Sequence, residues 1–282
     1  MTDLIYLLGA GRSGTTLLAT VLNSHSKIHT IGEMHQFAEH IAQGKSCSCG
    51  KKLNNCPFWK PVVDDLQTSE LDWGEIQKSG EQKEDHGQIP KLLFSKKADQ
   101  DYLEIQESIF KAVSKNHPNQ VLLDSSKYIA RFLLLDKSQN LNLKGIFVVR
   151  DVRGVINSFQ KNVQTQKKPL PTILYYCLIN FFGELVYRSN KNILKVKYED
   201  FIEKPEYTVE KIYSHIFEKE KHSEKLPEEF EMPHMIGGNR MKEHKKISIK
   251  KDVAWKRKIS RAKQIVYYLL SAPFMLINRY KV

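Results

Sequence analysis

A glycine-rich segment, Gly9–Thr16, follows a short apolar run and precedes a sequence with the apolar spacing of a helix. The run Leu4–Leu8 is typical of a buried strand, and apolar side chains recur at helical spacing over 17–22. Strand, glycine turn and helix in this order form a loop whose backbone N–H groups meet an anion at the helix start. An ordinary glycine turn is the alternative. The spacing and the preceding strand favour a phosphate-binding loop.

One position departs from the loop of nucleoside triphosphatases. Those loops carry Lys directly after the second glycine, where it contacts the β- and γ-phosphates. Here Thr15 stands at that position and the loop's cation is Arg12. The departure indicates a phosphate-bearing ligand other than a nucleoside triphosphate.

Further apolar runs predict more strands, and helical patterns separate them. The strand candidates are 121–123, 146–149 and 193–196, and the helix candidates are 100–115, 128–137, 152–161 and 173–189. Strands that alternate with helices indicate a parallel sheet with right-handed crossovers. The predicted fold class is therefore α/β, a P-loop-like three-layer fold with a central parallel sheet flanked by helices. Ligands bind at the carboxyl ends of strands in such folds.

The chain of 282 residues has the length of one domain, so we expect a single domain over 1–282. The polar, glycine-containing stretch 64–90 predicts a mobile insertion or lid at about 40–95. No run reaches the roughly 20 apolar residues of a membrane helix. Residues 265–277 are apolar but contain Ser271 and Pro273, which favours a C-terminal helix packed on the core. Peripheral membrane contact is the alternative.

The net charge is +12, from 44 Lys and Arg against 32 Asp and Glu, which suits an anionic ligand. It would also suit nucleic acid, but no nucleic-acid-binding motif is present, so no nucleic-acid partner is expected. Four cysteines are too few for a disulfide scaffold in a chain of this length. With no secretory leader pattern, we expect a cytoplasmic location.

Two motifs together carry a family resemblance. The loop Gly9–Thr16, and Val148–Asp151 followed by Ser158, resemble the PAPS-dependent sulfotransferases, in particular their bacterial and carbohydrate-type branches. PAPS is 3′-phosphoadenosine-5′-phosphosulfate. Similar elements of those branches are Gly32-Glu33, Asp124–Lys127 and Cys56–Trp59. The resemblance implies transfer of a sulfuryl group from PAPS to a hydroxyl acceptor (carbohydrate, lipid or small molecule), with adenosine 3′,5′-bisphosphate as product and no metal required.

The resemblance also implies roles for individual residues. The 5′-phosphosulfate ligands would be Gly11, Arg12, Ser13, Gly14, Thr15 and Thr16, and the 3′-phosphate ligands Arg150 and Ser158. Arg12 would stabilise charge on the oxygen that bridges phosphorus and sulfur. Glu33 would be the general base, with His35 and His25 as alternatives. A helix-capping or salt-bridging Glu33 is the structural alternative. Acceptor contacts would come from Glu33, His35, Ser126 and Lys127, and Arg240 lies in a glycine-containing stretch, 237–242, that resembles a late cofactor loop.

Several alternatives stay open at this level. Arg150 could form a surface salt bridge, for example with Asp151. A P-loop kinase is the alternative function, since Asp124 follows a strand as a magnesium-binding aspartate does. The loop without lysine argues against it. Three cysteines, Cys47, Cys49 and Cys56, could bind zinc with a histidine, form a disulfide or remain thiols.

Overall fold

A five-stranded parallel sheet flanked by helices organises the chain, as the sequence predicts. The computed structural model describes residues 1–66, 71–161, 167–218, 225–238 and 240–282. The strands are β1 (Thr2–Gly9), β2 (Ile28–Gly32), β3 (Val121–Lys127), β4 (Leu141–Val149) and β5 (Ile193–Lys197). They lie in the order β2-β3-β1-β4-β5. Successive strands are therefore added on both sides of β1, and such a switch point is where ligands bind in open α/β sheets.

The chain divides into two compact units, of which the first comprises Met1–Leu8, Thr16–Gly145 and Glu229–Ile247. Its helices are α1 (Thr15–Leu22), α2 (Phe37–Ala42), α3 (Trp59–Leu66), α4 (Trp73–Lys83), α5 (Ile89–Phe94), α6 (Gln100–Asn116) and α7 (Ile129–Leu135). Two short strands, β6 (Phe230–Glu231) and β7 (Lys246–Ile247), pair antiparallel. Large aromatic side chains fill the core, and Phe37, Trp59 and Phe110 are almost fully buried. Helix α6 packs on α3, and its buried side chains include Leu103, Ile109, Phe110 and Val113.

The second unit comprises Gly9–Thr15, Ile146–Glu228 and Ser248–Val282. Its helices are α8 (Val152–Phe159), α9 (Pro169–Ser189), α10 (Tyr198–Glu203), α11 (Pro205–Phe217), α12 (Trp255–Lys258), α13 (Arg261–Leu270) and α14 (Ala272–Ile277). Phe147, Tyr176 and Phe201 are buried in its core. Helix α9 begins earlier than predicted because Pro169 suits a first helical position, where its missing N–H costs no hydrogen bond.

The structure differs from the sequence-based expectation at two strands. Strand β2 is absent from the prediction because His29 and Thr30 interrupt its apolar pattern, yet it pairs with β3 through Ile28 and Val121. The polar stretch Asp124–Lys127 was expected to follow β3 but belongs to it. Buried ion pairs, described below, satisfy its polar groups inside the sheet.

Two other segments also differ from expectation. Within the proposed insertion at 40–95, the described residues form α3, α4 and α5, while 67–70 lie outside the described residues. The lid role itself stays a prediction. The expected core-packed C-terminal helix is wrong in part: α13 and α14 break at Ser271, and Leu269 and Leu276 are more than 60% exposed.

One helix in the described part of the chain, α9, is long and apolar enough to cross a membrane by length and composition. In that window 44% of the residues are buried inside the protein. Core helices meet the same criterion, so length and composition do not make α9 a membrane span.

Candidate active site

The glycine loop has the backbone shape that a phosphate cradle needs. Gly9 has φ +143°, and an added Cβ would lie 2.4 Å from the Val148 carbonyl oxygen. Gly14 has φ +91°, and its Cβ would lie 2.3 Å from the Tyr198 ring. Between them Arg12 has φ +69°, a conformation that costs a non-glycine residue energy. Only glycine fits at both ends of this loop.

The buried Ser13 hydroxyl of the loop is available to an anion. Ser13 is 1% exposed, and in the described part of the chain its Oγ has no hydrogen-bond partner. A buried hydroxyl without a partner costs free energy unless a ligand or water satisfies it. The Gly11 N–H already donates to the Tyr175 hydroxyl at 2.9 Å, and Thr15 and Thr16 are buried at the start of α1. The Ser13 hydroxyl therefore fits an oxygen of a phosphate as its partner.

The structure brings Arg12, Arg150 and Ser158 together. Arg12 Nε donates to Ser158 Oγ at 3.1 Å. Arg150 Nη1 donates to the Arg12 carbonyl oxygen at 2.9 Å, which supports the loop at its strained residue. Arg150 directly follows strand β4 and Ser158 lies near the end of α8, so the sheet and the following helix position both. Two guanidinium groups and a hydroxyl thus converge beside the glycine loop.

Arg150 is buried between an acid and a ring. It is 5% exposed, its Nη2 lies 3.2 Å from Asp252 Oδ2, and its guanidinium lies 4.1 Å from the centroid of the Tyr198 ring. Burial tends to raise the pKa of Asp252, but Arg150 and Lys161 together hold that pKa below its ordinary value. Asp252 is therefore ionised at neutral pH and competes with any phosphate for Arg150.

The alternative partner proposed for Arg150 is wrong. Asp151 instead binds Arg153 through two hydrogen bonds, Nε to Oδ1 at 3.0 Å and Nη2 to Oδ2 at 2.7 Å. Asp151 also caps α8 by accepting the Arg153 backbone N–H. The ion-pair partner of Arg150 is instead Asp252.

In the first unit, Glu33 follows strand β2 and pairs with Lys127 at the end of β3. Gln36 Nε2 lies 3.3 Å from the other Glu33 carboxylate oxygen, Oε2. Both charged side chains are largely buried, at 11% and 18% exposure, so the pair is a strong local feature. A carboxylate held in this way is oriented to accept a proton from a neighbouring hydroxyl.

His35 lies next to this pair and is neutral. Burial, and secondarily the nearby Lys127 charge, hold the pKa of His35 well below its ordinary value. Its Nδ1 is buried and has no hydrogen-bond partner in the described part of the chain. His25, the other alternative base, occupies the turn after α1, where its Nδ1 accepts the Lys27 backbone N–H at 3.1 Å.

A buried polar network around Asp124 and Arg131 lies in the same unit as Glu33. Asp124 is fully buried and accepts from Arg131 Nε at 3.1 Å, and Arg131 Nη1 donates to Glu84 Oε1 at 2.7 Å. Ser126 Oγ, also fully buried, donates to Asp124 and accepts the His35 N–H at 3.1 Å. Asp124 thus serves the core of the first unit, which disfavours the magnesium role of a kinase aspartate. An acceptor contact of Ser126 stays a prediction.

The glycine-containing stretch 237–242 lies in the first unit, with Asn239 outside the described residues. Gly237 has φ +64°, and a Cβ there would lie 2.9 Å from the Glu33 Cβ. Arg240 begins a short 3₁₀ helix and is exposed. The stretch therefore adjoins the Glu33 segment, and the cofactor contact of Arg240 stays a prediction.

Sequence reasoning did not single out Tyr175, Tyr198 or Asp252. Tyr175 lies in the apolar pattern of α9, where a ring that binds a loop N–H looks like any core aromatic. Asp252 lies in the lysine-rich stretch 245–258, which was interpreted as a solvated surface. The signal that could have identified Asp252 is that it is a single acid in a basic stretch.

Solved structures share this fold. A sulfotransferase domain from the curacin biosynthetic pathway is 18% identical, with a TM-score of 0.57 over 100% of this chain and 99% of that chain. A sulfotransferase domain from the olefin synthase of Synechococcus PCC 7002 is 18% identical, with a TM-score of 0.58 over 100% of this chain and 96% of that chain. At such identity these likenesses show the fold alone.

No curated protein matches the chain in sequence. Residues 4–218, most of the chain, match the Sulfotransferase family. This stretch includes the glycine loop, Glu33, Arg150 and Ser158. The chain belongs to the sulfotransferase family and is an enzyme of the sulfuryl-transferring class.

Proposed function

We propose that the donor is PAPS and that it is recognised through both of its phosphate-bearing ends. The observation that carries the proposal is the convergence of Arg12, Arg150 and Ser158 beside a loop whose Ser13 hydroxyl is buried without a partner in the described chain. The loop N–H groups and hydroxyls would hold the 5′-phosphosulfate. Arg150 and Ser158 would hold the 3′-phosphate, which distinguishes PAPS from common nucleotides.

The transfer is an in-line displacement at sulfur. The acceptor oxygen forms a bond to sulfur while the bond from sulfur to the bridging oxygen breaks, leaving adenosine 3′,5′-bisphosphate (PAP). Arg12 stabilises the negative charge that develops on that bridging oxygen, and it stays charged because a guanidinium does not release its proton at neutral pH. The acceptor hydroxyl's proton passes to a general base.

Glu33 is the proposed base. Its carboxylate is held by Lys127 and Gln36 in a nearly buried position, so it is oriented before an acceptor arrives. Lys127 also contributes positive charge for a departing or incoming anion. General base catalysis is worth about 100- to 10,000-fold in rate. The neutral His35 is the alternative base.

A substitution separates the two bases. Glu33→Gln keeps the shape and is expected to lower kcat by about 100-fold or more while PAP binding is retained. Glu39→Gln is the matched control, because Glu39 lies in the next helix and pairs with Lys45 at the surface. If Glu33→Gln turned over at the same rate as Glu39→Gln, Glu33 would not be the general base.

The donor is tested by calorimetric titration with PAP, with 5′-AMP and with ATP plus magnesium. We expect PAP to bind with micromolar or better affinity and both controls to bind at least about ten-fold more weakly, because they lack the 3′-phosphate. Preference for ATP with magnesium would support the kinase alternative. Binding of oligonucleotides with no response to PAP would support a nucleic-acid binder.

The acceptor is proposed to be a hydroxyl compound, with saccharide, lipid, peptide tyrosine and small molecule as the classes to screen. The proposed insertion at about 40–95 is where the choice of acceptor would be encoded. We propose that 1–282 acts as a single sulfotransferase domain. The cytoplasmic location stays a prediction.

The proposal extends to peripheral membrane contact. Helix α9 exposes an apolar stripe with a spacing of three or four residues: Leu170, Leu174, Leu178, Phe181 and Leu185. In the same unit α13 and α14 expose Ile265, Val266, Leu269, Leu270, Leu276 and Ile277, and Cys177 Sγ of α9 lies 3.8 Å from the Leu270 carbonyl oxygen. Basic residues precede α13 at Lys256, Arg257 and Lys258. Exposed apolar side chains flanked by basic ones suit an anionic lipid surface.

Vesicle sedimentation tests this contact. The protein is expected to sediment with phosphatidylserine-containing vesicles and much less with neutral phosphatidylcholine vesicles. Leu269→Glu would weaken this binding, whereas Tyr207→Glu, at an exposed residue of α11 outside the apolar stripe, would not. Equal recovery with no vesicles, or a concentration-dependent dimer that Leu269→Glu disrupts, would overturn the membrane contact.

A further inference from the structure

Three cysteines and one histidine converge at one place in the first unit. One ligand atom from each of Cys47, Cys49, Cys56 and His234 lies within 4.8 Å of all the others. Cys49 Sγ lies 3.7 Å from Cys56 Sγ, and His234 Nδ1 lies 3.2 Å from Cys56 Sγ. His234 Nδ1 lies 3.8 Å from Cys47 Sγ. The fold thus brings Cys56 and His234, which are 178 positions apart in the sequence, into one cluster.

The distances fit the edges of a zinc tetrahedron. Zinc bonds of about 2.3 Å to sulfur and about 2.0–2.1 Å to nitrogen imply separations of roughly 3.8 Å between two sulfurs and roughly 3.5 Å between sulfur and nitrogen. Thiolate and imidazole ligands favour Zn²⁺ over Mg²⁺ or Ca²⁺. Four ligands from the protein leave no open coordination position, which is typical of a structural site.

A tight turn presents the first two sulfurs. The Cys47 carbonyl oxygen accepts the Gly50 N–H at 2.9 Å, and the Cys47 N–H donates to the Lys51 carbonyl oxygen at 2.9 Å. Gly50 has φ +82°, a conformation that favours glycine. Its added Cβ would meet nothing within 4 Å, so the glycine serves the turn's conformation rather than a close contact. The C-S-C-G sequence is thus folded as a turn with two thiols on one side.

The other two ligands are held independently of any ion. The Cys56 N–H donates to the Leu53 carbonyl oxygen at 3.1 Å, and the Cys56 carbonyl oxygen accepts the Lys60 N–H at 2.8 Å. Trp59 Nε1 donates to the His234 carbonyl oxygen at 3.1 Å. Such contacts around a ligand fix its orientation.

A second set of bonds ties the His234 segment to the cysteine turn. Ser48 Oγ donates to the Pro233 carbonyl oxygen at 2.5 Å, and the Ser48 N–H donates to the Met235 carbonyl oxygen at 3.1 Å. The next residue along, Ile236, pairs with the end of β2: the Glu33 N–H donates to the Ile236 carbonyl oxygen at 2.8 Å. The cluster therefore connects the cysteine turn to the backbone beside Glu33.

We propose that Cys47, Cys49, Cys56 and His234 bind one structural Zn²⁺. The ion cross-links the turn 46–52 and the start of α3 to the stretch 233–236. In this way it fixes the strand-like segment that pairs with Gly32 and Glu33. Its role is mechanical, since every ligand comes from the protein and no substrate position remains on the ion.

Metal analysis of the full chain tests the site. Protein purified under mild reduction and without chelator is expected to contain about one zinc per chain. Cys49→Ser is the chosen variant because Cys49 is exposed, so its substitution disturbs packing least. It should lose most of the zinc, whereas Cys177→Ser, at a thiol in α9, should keep it.

A histidine pair supplies a second test. His234→Gln should lose zinc, and His244→Gln should retain it, although both histidines line the same cavity of about 770 Å³ beside the cluster. A chelator should lower the Tm of the wild type and leave Cys49→Ser unchanged. Cobalt added to protein freed of zinc should give the absorption of a tetrahedral thiolate site.

Three outcomes would overturn the site. The first is wild-type protein that contains no zinc and takes up none on titration. The second is a disulfide between Cys49 and Cys56 in protein purified under mild reduction. It would be seen as a mass two hydrogen atoms below that of the free thiols and as a linked pair of peptides. The third is equal zinc content in Cys49→Ser and Cys177→Ser. Because zinc content is measured directly, none of these results depends on the identity of the sulfuryl donor.

Discussion

Arg150→Ala is expected to remove the enzyme's preference for a 3′-phosphate. Arg150 Nη1 is committed to the Arg12 carbonyl oxygen, while Nη2 contacts Asp252, an acid that a phosphate can replace. The ligand therefore gains about one charge-assisted hydrogen bond from Arg150, worth roughly 1.5–3 kcal/mol. The ratio of the dissociation constants for PAP and 5′-AMP should change by about 10- to 150-fold. Loss of the bond to Arg12 weakens both ligands alike and cancels in the ratio.

Calorimetric titration of each variant with both nucleotides measures this ratio. Arg188→Ala removes the same charge from the same unit and is the control, because the Arg188 side chain is 66% exposed and forms an ion pair with its helix neighbour Glu184, at 3.7 Å. Its ratio should equal that of the wild type. If Arg150→Ala weakened PAP and 5′-AMP equally, Arg150 would only support the loop, and its assignment to the 3′-phosphate would be refuted.

Three further outcomes follow from the same contacts. Gly14→Ala should abolish PAP binding in titrations, because its Cβ would lie 2.3 Å from the Tyr198 ring, whereas Gly44→Ala, at φ +62° with only a lysine side chain nearby, should retain it. Asp252→Asn should tighten PAP binding about five-fold, since roughly 1 kcal/mol of repulsion is removed at a partly exposed site; unchanged or weaker binding would contradict the competition. Burial, followed by the charges of neighbouring histidines, lowers the pKa of His29 to about 4. The unfolded chain therefore binds more protons than the folded chain between pH 6.5 and 4, and the free energy of unfolding should fall by up to about 3 kcal/mol over that range in denaturant titrations. His29→Phe should flatten that slope, and an unchanged slope would show that other groups cause it.

Local sequence signals were sufficient for the fold class and for the loop. The apolar run of β1 and the spacing of Gly9 and Gly14 identify a strand, turn and helix without reference to the rest of the chain. Strand β2 was missed because it has only five residues and two adjacent polar ones, His29 and Thr30, interrupt its apolar pattern. Its pairing with β3 depends on tertiary contacts that periodicity does not report.

The partners of site residues were less predictable than the residues themselves. Arg150 and Ser158 follow from a motif, but the pairing of Arg150 with Asp252 joins positions 102 residues apart. Likewise, three cysteines suggested several chemistries, and the fourth group of the cluster, His234, is distant in sequence. Asp124 looked like a ligand at a strand end, whereas its burial against Arg131 makes it part of the core. Long-range pairings of this kind are set by the folded chain.

The most direct test of the account is a crystal structure of the protein with bound PAP. The account predicts the 5′-phosphate in the loop Gly9–Thr16, with Ser13 Oγ among its donors. It predicts the 3′-phosphate within hydrogen-bonding distance of Arg150 and Ser158, and Arg150 Nη2 turned from Asp252 to the phosphate. A 3′-phosphate bound away from Arg150 and Ser158, or a 5′-phosphate outside the glycine loop, would contradict it.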